Sequence, residues 1–270
     1  MAQVFTTSFS CWAQVGPLLQ RAGLDRALPA SGRVLIKPNL VADLPPPMTT
    51  PVALVREIVH YVQARRPALE IIVADGCGSL KYETAHVFHS MGYGAMAEEC
   101  GITLLDLNTA PCRRLRNPRC RRWPEIYLPE IVLDSFVLSV PVLKAHSMAG
   151  VTLTMKNMMG AAPPAHYRQD GHWQKASFHE DIQAAIFDLN QYRTPDFTLL
   201  DATVGMAEAH LWGPVCSPPK GLLAAGRDPV AMDAYGAGLL GKPWQEIGHI
   251  AMAHGLLGEA DPLIINEECT

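Results

Sequence analysis

The chain has 270 residues, 49% of them hydrophobic and 18% charged, with a net charge of −4; it can bury a sizeable core and is too poor in net positive charge for bulk nucleic-acid binding. No apolar run reaches the roughly 18 residues of a membrane span, and the first residues lack the basic and continuous apolar regions of a secretory signal. A cytoplasmic protein is therefore expected, with no membrane and no nucleic-acid partner, and its seven cysteines, an odd number without a CxxC pair, argue for reduced thiols rather than a disulfide framework, zinc ribbon or ferredoxin-type cluster.

Residues 1–30 are weakly patterned, with one helix expected over 12–22. Residues 33–36 read as a strand that ends at Lys37-Pro38-Asn39, because proline lacks a backbone donor and stops pairing. Residues 43–48 hold three consecutive prolines and read as loop; Thr50 and Pro51 then suit the N-cap and first position of a helix to about Arg65. A second strand over 71–74 closes on Asp75-Gly76-Cys77-Gly78-Ser79. A helix over 83–99, broken near Gly92 and Gly94, and a strand over 102–105 follow. Residues 111–124 carry six arginines and three prolines and read as a solvated surface loop, with an edge strand over 125–132.

The apolar, β-branched run 136–143 reads as a buried strand that delivers Lys144 and His146 at its carboxyl end. A turn at Ala149-Gly150 leads to a segment bearing Thr152, Thr154, Lys156 and Asn157. Ionisable groups so close to a core strand are costly unless they face a cleft. Residues 161–176, with Pro163-Pro164, His166 and His172, read as a loop or lid. Ser177 and Glu180 fit a capping box for a helix to about Tyr192. A strand over 197–200 ends at Asp201, a proline-rich loop spans 213–220, and a strand spans 221–225. Asp228 and Pro229 open a helix carrying Asp233, a helix spans 244–257, and a last strand spans 262–265.

Alternating strands and helices place the chain in the α/β class. A single domain over 1–270 is expected, with a mostly parallel central sheet, helices packed on it and a ligand cleft at the carboxyl ends of the strands. Four strands finish in charged residues, Lys37, Asp75, Lys144 with His146, and Asp201. Parallel strands would bring all four to one rim. Lys37, Lys144 and Lys156 supply positive charge for a carboxylate or phosphate, Lys156 being alternatively a nucleophile of lowered pKa. His146 is the candidate general acid/base. Asn39, Thr50, Asp75, Thr152, Asn157, Asp201 and Asp228 complete the candidate substrate-binding set, although Asp75 and Asp201 equally suit turns and Asp228 a helix cap. His166, His172 and His179 have spacings that match no tight metal motif, and no metal ligand is assigned.

These motifs resemble a prokaryotic family, the domain of unknown function 362. The matching stretches are Ile36-Lys37-Pro38-Asn39-Leu40, Thr49-Thr50-Pro51, Ala74-Asp75-Gly76, Val140-Pro141-Val142-Leu143-Lys144-Ala145-His146, Thr152 through Lys156-Asn157 to Gly160, His179-Glu180-Asp181, Leu200-Asp201-Ala202 and Ala225 through Asp228-Pro229 to Asp233. Many members carry an appended ferredoxin-like module, whose cysteine runs this chain lacks. A more distant resemblance is to the nickel-pincer lactate racemase family, in which a His-x-x-Ala-Gly segment precedes, ten residues later, a lysine that holds the pincer nucleotide. His146, Ala149-Gly150 and Lys156 keep that spacing, with His172 at a metal ligand's position. This resemblance implies a proton-transfer base at His146 and a cofactor anchor at Lys156. Pro46-Pro47-Met48-Thr49 stand where that family has acidic and arginine residues, which speaks against lactate as substrate.

The expected function is an enzyme acting on a small anionic molecule by His/Lys acid–base chemistry, namely isomerisation, cyclisation, elimination or racemisation in a specialised pathway. The alternatives are an iron–sulfur- or metal-dependent oxidoreductase with a separate electron donor, and a non-catalytic ligand- or cofactor-binding protein. No cofactor is favoured; a metal or pincer-type nucleotide is what the second resemblance would bring. The oligomeric state is left open.

Overall fold

A computed structural model of the chain describes residues 1–168 and 171–268. The first half runs β1 (Ala2–Ser8), α1 (Val15–Arg21), α2 (Leu24–Ala27), β2 (Gly32–Pro38), α3 (Val52–Arg65), β3 (Leu69–Asp75), α4 (Thr84–Ser90), α5 (Tyr93–Cys100), β4 (Thr103–Asp106), β5 (Cys112–Arg116) and β6 (Glu125–Pro129). The centre holds α6 (Glu130–Leu133), β7 (Phe136–Val140), β8 (Val142–His146), β9 (Gly150–Thr152), α7 (Thr154–Asn157) and α8 (Pro164–Tyr167). The chain then continues through α9 (Ile182–Tyr192), β10 (Phe197–Met206), β11 (Leu222–Gly226), α10 (Pro229–Leu239), α11 (Gly248–Ala253) and β12 (Leu263–Glu267). Short 3-10 turns at Met158–Ala161 and Ala176–His179 flank the segment around α8.

The main sheet has the order β12-β1-β11-β10-β7-β2-β3-β4, with β8 and β9 branching from β10. From β10 through β7, β2 and β3 to β4 every pairing is parallel. Only β11, which meets both β10 and β1, and the short β9 run against their neighbours. Side chains alternate across this sheet as the period of a strand requires: Val34 and Ile36 join the core under α1, α3, α4 and α5, whereas Leu35 joins the core under α9, α10 and α11. Two buried apolar faces therefore clamp the sheet, as a largely parallel sheet demands. No helix among the described residues is long and apolar enough to cross a membrane.

Several local expectations change. Residues 2–8, weakly patterned in sequence, form β1, which is held between β11 and β12 and buries Ala2 and Val4 on either side of the exposed Gln3. The front of the arginine-rich stretch, Cys112–Arg116, is the strand β5 of a hairpin with β6 rather than a loop, whereas Arg119, Arg121 and Arg122 lie in the loop that joins the two strands. Strand β6 buries Ile126 and Leu128 while the arginines of β5 face acids, Arg113 with Asp134 and both Arg114 and Arg116 with Glu125. The run 136–143 divides at Pro141 into β7 and β8, since proline cannot donate to the ladder. Thr50 does not cap α3; Pro51 occupies the N-cap. Asp181, not Ser177, caps α9, accepting from the backbone of Ala184, while Ser177 Oγ donates to the Tyr167 carbonyl. The helix over 83–99 breaks where expected, at Gly92, whose φ of 80° suits glycine. The final helix is shorter than expected, spanning Gly248–Ala253. The expected lid, 161–176, includes residues 169–170, which lie outside the described residues.

Candidate active site

The carboxyl ends of β2, β3 and β8 open onto a cleft of roughly 300 Å³. Lys37, Asn39, Asp75, His146, Thr152, Lys156 and Asn157 line it, and a cleft outside the strand ends is where an α/β sheet places its ligands. Lys37 from β2 and Asp75 from β3 form a buried ion pair, Nζ to Oδ1 2.5 Å. Burial pushes the Lys37 ammonium down, and Asp75 opposes that push. The other Asp75 oxygen accepts the Leu40 backbone N–H at 2.7 Å. Asn157 ties the pair to the lysine-bearing turn: its Oδ1 accepts from Lys37 Nζ at 3.4 Å and from Asn39 Nδ2 at 3.0 Å, and its Nδ2 donates to the Lys37 carbonyl at 3.2 Å and to Ser139 Oγ at 3.0 Å.

Lys156 sits on α7, a single turn whose first N–H groups need partners. Asp233 of α10 supplies them, accepting from Thr154 N at 2.6 Å and Met155 N at 3.0 Å. Asp233 thus positions Lys156 from beneath rather than facing the cleft, whose lining does not include it. Among the described residues no hydrogen bond ties down the Lys156 ammonium, and burial lowers its pKa to about 8. Lys144 is buried, donates to the Met48 carbonyl at 2.6 Å, and is lowered to about 7 by burial and then by the nearby Lys156. It backs the cleft without lining it.

His146 ends β8, and its Nδ1 accepts the backbone N–H groups of Met148 and Ala149, each at 3.2 Å. A neutral ring with Nδ1 so occupied carries its proton on Nε2. Burial, and then the surrounding lysines and histidines, push its pKa down to about 2, so it is held neutral. Glycine at position 150, with φ of 79°, completes the tight return into β9.

Three cleft residues escaped assignment as site residues from sequence: Lys175, His179 and His210. Lys175 is buried, donates to the carbonyls of Gly76 at 3.0 Å and Gly160 at 2.9 Å, and is lowered by burial to about 7. Gly76 and Gly160 are glycines of necessity: a Cβ at Gly160 would strike Asp75 Oδ1 and Lys37 Nζ, and one at Gly76 would strike Asn108 Oδ1. His179 directs Nδ1 at the Lys175 carbonyl, 3.2 Å away. A carbonyl only accepts, so Nδ1 is the protonated nitrogen and Nε2 keeps its lone pair. Burial, then Lys156, lowers its pKa. The His210 ring stacks on His146 with centroids 4.1 Å apart. The sequence clue to His179 was its place in the His179-Glu180-Asp181 motif; Lys175 and His210 had none.

Three expected residues stand elsewhere. Thr50 accepts from Asn39 N at 2.8 Å and donates to the Val140 carbonyl at 2.7 Å, stitching the ends of β2 and β7 together. Asp201 lies inside β10, which continues to Met206, and accepts from the backbone and hydroxyl of Thr203. Asp228 follows β11, which runs antiparallel, so it falls at the opposite rim. There it caps α10 by accepting from Val230 N and Ala231 N. His172, at the position of a metal ligand in the racemase resemblance, is exposed and outside the cleft lining. Among the described residues no three His, Cys, Asp or Glu side chains are grouped to hold a metal ion. His172, the metal-ligand position that the racemase resemblance implies, therefore contributes no donor to this cleft.

A family model described as a domain of unknown function (DUF362) matches residues 34–238. No curated protein matches the chain. Among solved structures, the lactate racemase apoprotein from Thermoanaerobacterium thermosaccharolyticum is similar, with a TM-score of 0.51 and 13% identity over 90% of this chain. The alignment covers 57% of that protein's length, and at this identity the likeness is one of fold.

Proposed function

The chain belongs to the DUF362 family, and from its cleft we propose that it is an isomerase-type enzyme that moves a proton on a small carboxylate. The observation that carries this reading is the Lys156 ammonium, untied among the described residues, in a cleft shared with two histidines of opposite tautomer. Lys156 attracts the anionic group, and the buried Lys37–Asp75 pair and Asn157 fix the wall against which it rests. His146, expected from sequence to be the base, serves here as an Nε2–H donor to a carbonyl or carboxylate oxygen. His179 Nε2 takes the proton from the adjacent carbon, the electron pair moves onto that oxygen, and Lys156 with His146 stabilises the enolate charge that develops. Return of the proton from His179 to a different carbon on the same face, with the electron pair moving back from the oxygen, gives the isomer. The fold shared with a racemase apoprotein is consistent with this chemistry.

The test is deuterium uptake. The protein is incubated in D2O with a panel of 2-hydroxy, 2-oxo and β,γ-unsaturated carboxylic acids, and loss of carbon-bound proton signal is followed by NMR. Exchange into at least one acid, abolished in Lys156→Ala and His179→Ala, is expected. Binding of carboxylates without exchange in any of them would make this a ligand-binding protein and sink the enzyme reading.

A further inference from the structure

The cleft is charged at its floor and apolar at its mouth. Lys37 and Lys175 are buried, whereas Met148 and Trp173 line the same cleft while 46% and 51% exposed. Two further exposed apolar side chains adjoin it along the chain: Leu80, two residues beyond the lining Gly78, and Trp212, 77% exposed and next to the lining Leu211. Single exposed apolar residues are ordinary; two of them, Met148 and Trp173, lining the mouth of one cleft mark a surface that is covered in use. Trp173 also packs on His179, ring centroids 5.0 Å apart, so the apolar wall is continuous with the proposed reacting groups. The volume, roughly 300 Å³, stands at the small end of ligand pockets and admits a head group with one ring or a short alkyl chain.

From this gradient we infer that the substrate is an amphipathic carboxylate, its head group at Lys156 and its apolar body against Met148, Trp173 and Leu211. The inference rests on the reading of the cleft as a carboxylate site and adds the chemistry of the remainder of the molecule. A second copy of the chain would cover the rim without need of the lysines below it. A single small molecule with both chemistries uses the charged floor and the apolar wall together. Tryptophan offers a large rigid face at low entropic cost, and methionine adapts to the shape of what it covers.

Isothermal titration of the full chain with acetate, butanoate, hexanoate and 3-phenylpropanoate, with hexanamide as the uncharged control, tests this. Each methylene fully seated on the wall tightens binding by about fourfold, so hexanoate is expected to bind at least about tenfold tighter than acetate, and tighter than hexanamide. Trp173→Ala, and separately Met148→Ser, should flatten the dependence on chain length. Equal affinity for acetate and hexanoate overturns the inference and leaves the carboxylate reading standing. Equal affinity for hexanoate and hexanamide, or no binding of any carboxylate, overturns both. A solution dimer that Trp212→Ser converts to monomer, with no dependence on chain length, assigns the rim to a second copy and also overturns it.

Discussion

Lys37 Nζ lies 2.5 Å from Asp75 Oδ1 with both side chains shielded from water, so each charge depends on the other for its stability. Removing one partner leaves an uncompensated buried charge, which costs about 3–5 kcal/mol, whereas removing both costs far less. Asp75→Ala alone is therefore expected to lower the urea-unfolding free energy by about that amount, and Lys37→Met/Asp75→Asn to recover most of it. Similar stabilities for single and double variants would show that the pair is not coupled.

Gly160 leaves no room for a side chain above that ion pair, and its carbonyl anchors Lys175. Gly160→Ala should cost roughly 1–3 kcal/mol through overpacking and weaken carboxylate binding as well, because both lysine placements shift. Unchanged thermal unfolding would mean the pair can move aside.

The pKa values of Lys144, Lys156 and Lys175 are lowered to about 7, 8 and 7, burial being the first cause in each. Unfolded lysine titrates near ~10.4. Between these limits the unfolded chain binds more protons than the folded one, so the three lysines make stability rise with pH from about 7 to about 10, by up to ~1.4 kcal/mol per pH unit for each. Carboxylate affinity runs the other way and falls above about pH 8 as Lys156 loses its proton. Comparing Lys156→Met with the parent chain in urea across this range isolates one contribution: the variant should show the shallower slope, and parallel curves would refute the shift.

Long-range proton–nitrogen NMR of histidine-labelled protein reads tautomers without a substrate. His146 should carry its proton on Nε2 and stay neutral down to the acid limit of the fold, since burial and its cationic neighbours hold it near about 2. His179 should carry its proton on Nδ1. The same tautomer at both rings would remove the division of roles between donor and base.

Asp228→Ala should cost about 1 kcal/mol through the lost helix cap and leave carboxylate affinity unchanged, because Asp228 stands at the rim opposite the cleft. Weakened binding at unchanged stability would return Asp228 to the site.

The sequence by itself determined the α/β class, the family, and a local set of cleft residues: Lys37, Asn39, Asp75, His146, Thr152, Lys156 and Asn157. These were legible because hydrophobic period and proline or glycine punctuation mark where strands end, and parallel strands end on one side. Tertiary structure alone decided the remainder. The antiparallel direction of β11 sends Asp228 to the far rim, and the extension of β10 to Met206 keeps Asp201 within the sheet. Lys175, His179 and His210 reach the cleft from segments with no periodic signal. Which nitrogen of each histidine holds the proton depends on backbone groups that only the folded chain brings within hydrogen-bond range. Strand ends are written in local pattern; pairing partners, strand direction and proton positions are set by contacts between residues distant in the chain.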